Sequence, residues 1–533
     1  MAIEFQGRRL SWLRLSVLLI IISLLIAVGY GLWFRAKDSQ AANQSEQWFG
    51  AYVDASSTPF YDIGSNISRG ERVVLGFMVA HPEAGCTPSW GGYYTMDEAN
   101  ETFDLERKVA RVHDAGGQVV VSSGGLLNDE LATACEDVTQ IAQGYRQVLE
   151  RYDSRILDLD IEADDLTNLD GGLRRAEAVA LLQEQTPVEV WLTLPAATFG
   201  MAPEGLAEVE RVLAAGVELA GVNLMTMNFG ETRDARQSMG QASIEAAESA
   251  HRQLDAIYAK HSQQLGEQSL WRKIGVTPMI GQNDLLGEVF DLQDAEQLNA
   301  FVQEKGLGRI SFWSANRDQS CGENFPDLTR VSNNCSGVQQ APGEFAQRLA
   351  VLEGHTPSPA PSPTPSAAVQ SAPVETEIAD DPATSPYPIW SDLAAYVEGD
   401  RIVWRKNVYE AKWWNQNNAP DAPATNGQPS PWQLVGPVLP GDKPLTVLKA
   451  PEGIYPQWDP EETYTEGDRV WFEDRILQAR WWNTAQSPQA ALQGAAASPW
   501  QVLDNAEVQK ILDEQANPSA TASADAQPSA TTD

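Results

Sequence analysis

The stretch Arg155-Ile-Leu-Asp158-Leu-Asp160-Ile-Glu162 decides how this chain is read. In extended backbone, successive side chains point to opposite faces, so Asp158, Asp160 and Glu162 share one face and Leu157, Leu159 and Ile161 the other. A strand with one apolar and one carboxylate face fits a closed barrel. There the apolar side packs under helices and the acids point inward. Carboxylates crowded a few ångströms apart cannot all ionise cheaply, so at least one pKa is expected to rise. A raised carboxyl is what a general acid needs near neutral pH.

Working outward, seven more apolar, β-branched runs flank this one, at 48–55, 72–80, 118–125, 189–196, 221–229, 273–281 and 309–316. Amphipathic helical stretches such as 128–151, 170–185 and 241–261 separate most of them. The interval between the first two runs is too short for a long helix. Strands of this kind with helical crossovers predict a parallel sheet covered on both faces. The α/β fold expected over residues 47–353 is a (β/α)8 TIM barrel with its chemistry at the strand C-termini. An open doubly wound sheet is the alternative.

Further motifs fall on these strands in order. The third ends in Ser122-Ser-Gly124-Gly125, and the fourth carries the DxDxE of Asp158, Asp160 and Glu162. The sixth gives Met225-Thr-Met227-Asn228-Phe229, the seventh Thr277-Pro-Met-Ile-Gly-Gln-Asn-Asp284, and the eighth Trp313. This set resembles glycoside hydrolase family 18, the chitinase family, whose SxGG, DGxDxDxE and M-x-Y-D segments it matches in sequence order. The resemblance implies hydrolysis of β-1,4 bonds between N-acetylglucosamine units by a substrate-assisted retaining mechanism, which needs no second carboxylate nucleophile. Glu162 then acts as general acid and base, Asp160 holds the acetamido N–H of the sugar, and Asp158 shares a proton with Asp160. Trp313 floors the subsite at the cleavage point. Met225, Met227, Asn228, Gly124 and Tyr52 complete the expected substrate-binding set. No cofactor or metal is implied.

Three departures from the family pattern stand out. Arg155 and Ile156 replace the Asp-Gly that opens the signature, which alters the support expected beneath the acids. Met227 stands where many members have tyrosine, and Asn228 replaces an aspartate. These changes motivate an alternative, a chitin-binding surface protein with a feeble or inactive barrel. Another alternative is an endo-β-N-acetylglucosaminidase acting on glycans or peptidoglycan.

Of 17 tryptophans, ten lie between Trp390 and Trp500, in a stretch that repeats itself. Residues 390–434 and 458–502 align without a gap at a period of 68, matching Trp390 with Trp458 and Ala411-Lys-Trp413-Trp414-Asn415 with Ala479-Arg-Trp481-Trp482-Asn483. Each unit, at 387–437 and 455–504, is expected to be a small all-β module. The two adjacent tryptophans of each unit, on one strand, point to opposite faces, so one is expected to fill the core and the other to stay exposed as a platform for a pyranose ring. The units resemble carbohydrate-binding modules of families 5 and 12, which carry an AKWW motif and bind chitin. Trp390, Trp413, Trp414, Trp458, Trp481 and Trp482 are the candidate binders.

The remaining segments place these domains. Residues 354–386 hold eight prolines and read as an extended linker. Residues 505–533 are expected to be a disordered tail. From Leu15 to Phe34 no charge occurs, so residues 1–46 are read as a signal anchor with a transmembrane helix and a short stalk, a cleaved signal peptide being the alternative. Everything beyond is expected outside the cytoplasm, at the cell surface or secreted. Cys86, Cys135, Cys321 and Cys335 suit that compartment; close spacing favours a Cys321–Cys335 bridge, leaving Cys86 with Cys135. The five histidines are scattered and offer no metal spacing. With 37 basic and 73 acidic residues, a balance of −36, the chain is unsuited to nucleic acid. Its expected partners are chitin or another β-1,4-N-acetylglucosamine polymer and the membrane, and it is expected to be a monomer.

Overall fold

The computed structural model describes residues 46–64, 71–322, 325, 330–350, 380–392, 394–421, 429–444, 448–492, 498–503 and 505–516, with scattered positions between 16 and 42. The chain divides into two compact units, residues 1–366 and 367–533.

All eight strand-like runs of the first unit form strands. In chain order they are β1 (Trp48–Asp54), β2 (Arg72–His81), a hairpin of β3 (Ala84–Trp90) and β4 (Tyr94–Thr95), then β5 (Gln118–Gly124), β6 (Ile156–Asp160) and β7 (Glu189–Ala197). The short β8 (Gly200–Met201) follows, then β9 (Leu219–Met225), β10 (Ile274–Thr277), the ribbon β11 (Gly281–Gln282) and β12 (Val289–Phe290), and β13 (Arg309–Phe312). β1, β2, β5, β6, β7, β9, β10 and β13 pair side by side in parallel, and β13 returns to β1. This closes the sheet into the expected barrel and rules out the open one.

Alternation along the strands produces two cores. Phe49 and Val53, Val73 and Leu75, Val119 and Val121, Leu157 and Leu159, and Val190 and Leu192 face outward into one large apolar layer beneath the helices. Their neighbours Trp48, Val74, Val120, Ile156 and Trp191 face inward and plug the lower end of the barrel. A Cβ on Gly221 would sit 2.4 Å from the Trp191 ring, so glycine there makes room for the plug. Outer-core leucines such as Leu159 are fully buried, and truncation to alanine at such a site costs about 2–5 kcal/mol.

Both expected disulfides are present, Cys86–Cys135 and Cys321–Cys335. Most of the 15–34 segment lies outside the described residues. Ser16, Leu19–Ser23, Gly29 and Trp33 within it are helical, and among the described residues no helix is long and apolar enough to cross a membrane. The segment after it is docked on the barrel: the Asp38 carboxylate accepts bonds from Gln268 N–H at 3.0 Å and Ser269 N–H at 3.1 Å.

In the second unit the 68-residue repeat is structural. β14 (Ala395–Tyr396) pairs with β17 (Asn415–Gln416), and β15 (Arg401–Trp404), β16 (Asn407–Ala411) and β18 (Trp432–Pro437) form an antiparallel sheet. β19 (Thr463–Tyr464) to β23 (Trp500–Val502) repeat this pattern. Tyr396, Ile402, Ala411 and Trp432 make one small core, and Tyr464, Val470, Ala479 and Trp500 the other.

Two expectations are corrected here. The first module starts before residue 387, because Asp380 accepts bonds from Arg405 N–H and Lys406 N–H. Of the expected linker at 354–386, residues 354–379 lie outside the described residues. Residues Asn505–Ala516 of the expected disordered tail form a helix whose Val508 and Ile511 are buried with Ile476 and Leu503. Spacing of three residues puts both on one helical face, a signal lost in the tail's polar composition.

Candidate active site

Strand β6 delivers two of the three acids to the barrel interior, and the third follows one turn of extended backbone later. Glu162 has φ −142° and ψ 177°, so the alternation that β6 starts carries through to it before the next helix begins. The three carboxylates therefore rise in a column from the apolar plug toward the strand C-termini.

Asp158, the lowest, is fully buried and saturated with donors. Its Oδ1 accepts bonds from Thr193 Oγ1 at 2.6 Å and Arg309 Nη1 at 2.5 Å. Its Oδ2 accepts from Tyr52 OH at 2.6 Å and Ser122 Oγ at 2.8 Å. A second ring of polar groups supports the first: Asn223 Nδ2 donates to Thr193 Oγ1 at 3.0 Å and to Thr277 Oγ1 at 2.8 Å. Thus β1, β5, β7, β9, β10 and β13 each contribute an inward polar side chain to a layer centred on Asp158.

Asp160, one step up, is also buried, but its Oδ1 lacks a hydrogen-bond partner. Burial first, then the charges of Glu162 and Asp158, hold its carboxyl well above the usual carboxylate range, against the opposing pull of Arg309. Glu162 is half-buried at the mouth. Burial, followed by the charges of Asp284 and Asp165, pushes it up to about 7. An acid poised there can give a proton at neutral pH and take one back.

Around this column, Trp313 continues the inward face of β13 and stacks on Phe77 with ring centroids 5.4 Å apart and planes 19° apart. Asn228 is exposed; its Nδ2 donates to Asp284 Oδ2 at 2.7 Å, and its Oδ1 accepts from Asp284 N–H at 3.0 Å. The carboxylate of buried Glu288 accepts from Phe229 N–H at 2.9 Å and Gly230 N–H at 2.8 Å, locking the loop after β9 to the turn between β11 and β12. Met225 is buried, and Met227 is half-buried beside it.

Several expected roles change. Tyr52 is 1% exposed, and its hydroxyl is committed to Asp158, so it supports the column instead of lining a sugar site. Gly124 acts through its backbone: at φ +108° a Cβ would lie 2.0 Å from the Asp160 carbonyl oxygen. Arg155 is exposed at the far end of the barrel and Ile156 belongs to the apolar plug, so neither replaces the Asp-Gly as support. That support comes from Arg309, Thr193 and Tyr52. Arg309 was legible: period two from an inward Trp313 places Ser311 and Arg309 inward as well. Phe77 carried no comparable signal.

In the second unit, the paired tryptophans do not divide between core and surface. Trp413 and Trp414 are 42% and 61% exposed, and Trp481 and Trp482 are 45% and 63% exposed. They sit in loops between strands, where strand alternation does not operate. Trp390 and Trp458, expected as binders, instead pack edge-on against Trp404 at 4.8 Å and Phe472 at 5.9 Å, at the margins of the two small cores. Among the described residues no cluster of His, Cys, Asp and Glu could hold a metal ion.

No protein-family model matches the chain. It is 31% identical over 291 residues to a probable bifunctional chitinase/lysozyme of Escherichia coli (strain K12), covering 52% of this chain and 31% of that protein. It is 33% identical over 222 residues to endochitinase 11 of Metarhizium anisopliae, covering 40% of this chain and 42% of that protein. The chain thus spans less than half the length of either relative. The catalytic domain of a hyperthermophilic chitinase from Pyrococcus furiosus superposes with a TM-score of 0.50 at 28% identity, over 57% of this chain and 94% of that one. In sequence and in fold, the barrel of this chain is similar to chitinase catalytic domains.

Proposed function

We propose that the chain is a family 18 chitinase that cleaves β-1,4 bonds between N-acetylglucosamine units with retention of configuration. The observation that carries this reading is the graded column in which Asp158 accepts from four donors, Asp160 is buried with an unpartnered oxygen, and Glu162 is pushed up to about 7 at the mouth. Protonated Glu162 donates to the glycosidic oxygen. The acetamido carbonyl oxygen of the bound sugar attacks its own anomeric carbon as the bond from that carbon to the protonated glycosidic oxygen breaks; the leaving sugar departs as an alcohol and an oxazolinium ion remains. Asp160, which lacks a protein partner at Oδ1, releases its proton to water at the mouth as the acetamido N–H arrives and, as the carboxylate, accepts that N–H and offsets the positive charge as it develops. Ionised Glu162 then takes a proton from water, whose oxygen bonds to the anomeric carbon as the oxazolinium bond to that carbon breaks, which restores the acetamido group and the original configuration. The Trp313 face supports the sugar ring.

The exposed tryptophan pairs support reading the two repeats as chitin-binding modules of families 5 and 12, with Trp413, Trp414, Trp481 and Trp482 as the contacting rings. The uncharged 15–34 segment supports anchoring at the outer face of a membrane. We read the protein as a monomer at the cell surface.

The test is release of soluble oligosaccharides from colloidal chitin, with Glu162→Gln as control and chitosan, cellulose, peptidoglycan and N-glycans as the panel. Release from chitin by wild type, and not by the variant, is expected. Equal, negligible release by both would leave a binding protein. Release only from glycans or peptidoglycan would make it an endo-β-N-acetylglucosaminidase.

A further inference from the structure

The residues ahead of β1 are bound to the barrel at the end opposite the mouth. Asp38 lies against the helix Glu267–Arg272, which leads into β10. Besides the two N–H bonds to its carboxylate, Ser269 Oγ donates to the Asp38 carbonyl at 3.3 Å. A Cβ on Gly266 would collide with that carboxylate, so glycine is what lets it approach. Arg272 Nε donates to the carbonyl of buried Ala42 at 3.1 Å, and Arg72, which opens β2, pairs with Glu46 at 2.7 Å. Just before β13, the Leu307 carbonyl accepts from Gln47 Nε2 at 2.7 Å. All these partners sit at strand N-terminal ends, and β10, β13, β1 and β2 are consecutive neighbours in the barrel. Asp38, Ala42, Glu46 and Gln47 are thus fixed to the base under four adjoining strands.

The described positions before Asp38 are not docked. Ser16, Leu19–Ser23, Gly29, Trp33 and Lys37 are all exposed. Leu19, Ile20, Ile21 and Ile22 are consecutive helical residues, and at about 3.6 residues per turn they point apolar side chains to every side of the helix. A helix that is apolar all round needs an apolar medium around it. The uncharged run from Leu15 to Phe34 is about 30 Å long as a helix, the thickness of a bilayer core. At its barrel end Lys37 Nζ lies over the Trp33 ring, 5.5 Å from the centroid. An indole with an amine above it suits the headgroup level, where the ring meets hydrocarbon and the charge meets water. From Phe34 to the docked Asp38 the chain can span at most about 14 Å.

We propose that the base of the barrel rests on the headgroup surface of a lipid bilayer, with the mouth that holds Glu162 directed away from it. The inference rests on reading residues 15–34 as the membrane anchor, and it adds an orientation to that reading. A long free tether would let the barrel turn in any direction. A connection this short, ending in a carboxylate fixed to the base, does not. From Ile156 to Glu162 the backbone rises about 20 Å along the strand, so the mouth opens clear of the headgroups. The site then takes polymer chains that approach from outside, and not material lying between the barrel and the membrane.

The experiment places a fluorophore on a single introduced cysteine of the full chain, reconstituted into phosphatidylcholine vesicles. The native cysteines are paired with one another, so the introduced thiol alone is labelled. Lys305→Cys marks the base beside the docked residues, Arg155→Cys the base across from them, and Leu286→Cys, in an exposed turn after β10, the mouth. Emission is compared in vesicles with and without lipid carrying a nitroxide on its headgroup. Loss of most of the emission at positions 305 and 155, with unchanged emission at 286, is expected. Any other pattern in a chain that floats with the vesicles, such as equal quenching at all three positions or quenching at 305 alone, would overturn the orientation and leave the anchor in place. A chain that does not float with the vesicles would overturn the anchor reading and the orientation with it.

Discussion

Glu162 meets two opposed demands, since the burial that makes it a useful acid also strains the fold that carries it. Glu162→Gln is expected to lower kcat on chitin by roughly 10²–10⁴-fold, the usual worth of general acid–base catalysis. It should also stabilise the protein in alkali. Because the folded-state pKa, about 7, lies above the ordinary 4.5, the stability tied to protonated Glu162 is complete in acid and is lost as pH rises through about 7. Thermal unfolding should therefore show the variant ahead by roughly 1–2 kcal/mol above neutral pH and level with wild type in acid. Asp284→Asn removes one of the charges that raise Glu162. The alkaline limb of its kcat/KM profile should move to lower pH, and an unchanged limb would mean that Asp284 does not act on Glu162. At this scale the three acids were legible because a charged residue on an apolar strand stands out. Thr193 and Asn223 beneath them were not, because they are ordinary strand residues until a barrel closes around them.

Among the elements, the turn after β5 is the least tolerant. Gly124→Ala combines φ +108° with a collision against the Asp160 carbonyl, so a loss of roughly 3 kcal/mol or more is expected, with activity falling at temperatures where the protein remains folded. Gly216→Ala is the control: its φ is +87° but the space around it is open, so denaturant melts should show a smaller loss and unchanged activity. Strands and their inward faces followed from period-two patterning because each barrel strand buries both sides and repeats the same alternation. The AKWW segments did not follow it. Their tryptophans sit in loops between strands, where adjacent side chains need not alternate and both stay exposed.

At the scale of the whole molecule, the repeats should act together. Two modules on one chain bind a polymer with an avidity that can exceed either alone by about 10²–10⁴-fold. Replacing Trp413 and Trp414 by alanine should weaken pull-down on insoluble chitin, and replacing Trp481 and Trp482 as well should abolish it. Hydrolysis of a soluble oligosaccharide should be unchanged in both variants; a parallel loss would show that these rings serve the barrel instead.

The sequence by itself determined the eight strands, the carboxylate column, the disulfide partners and the repeat, because these depend on local periodicity, spacing and self-similarity. Only the tertiary structure decided which groups surround each acid. The closed barrel brings Tyr52, Ser122, Thr193 and Arg309 from four strands onto Asp158 and leaves Asp160 Oδ1 without a partner. Protonation in a buried site follows from those neighbours, drawn from positions up to 257 residues apart, and no local pattern in the chain records them.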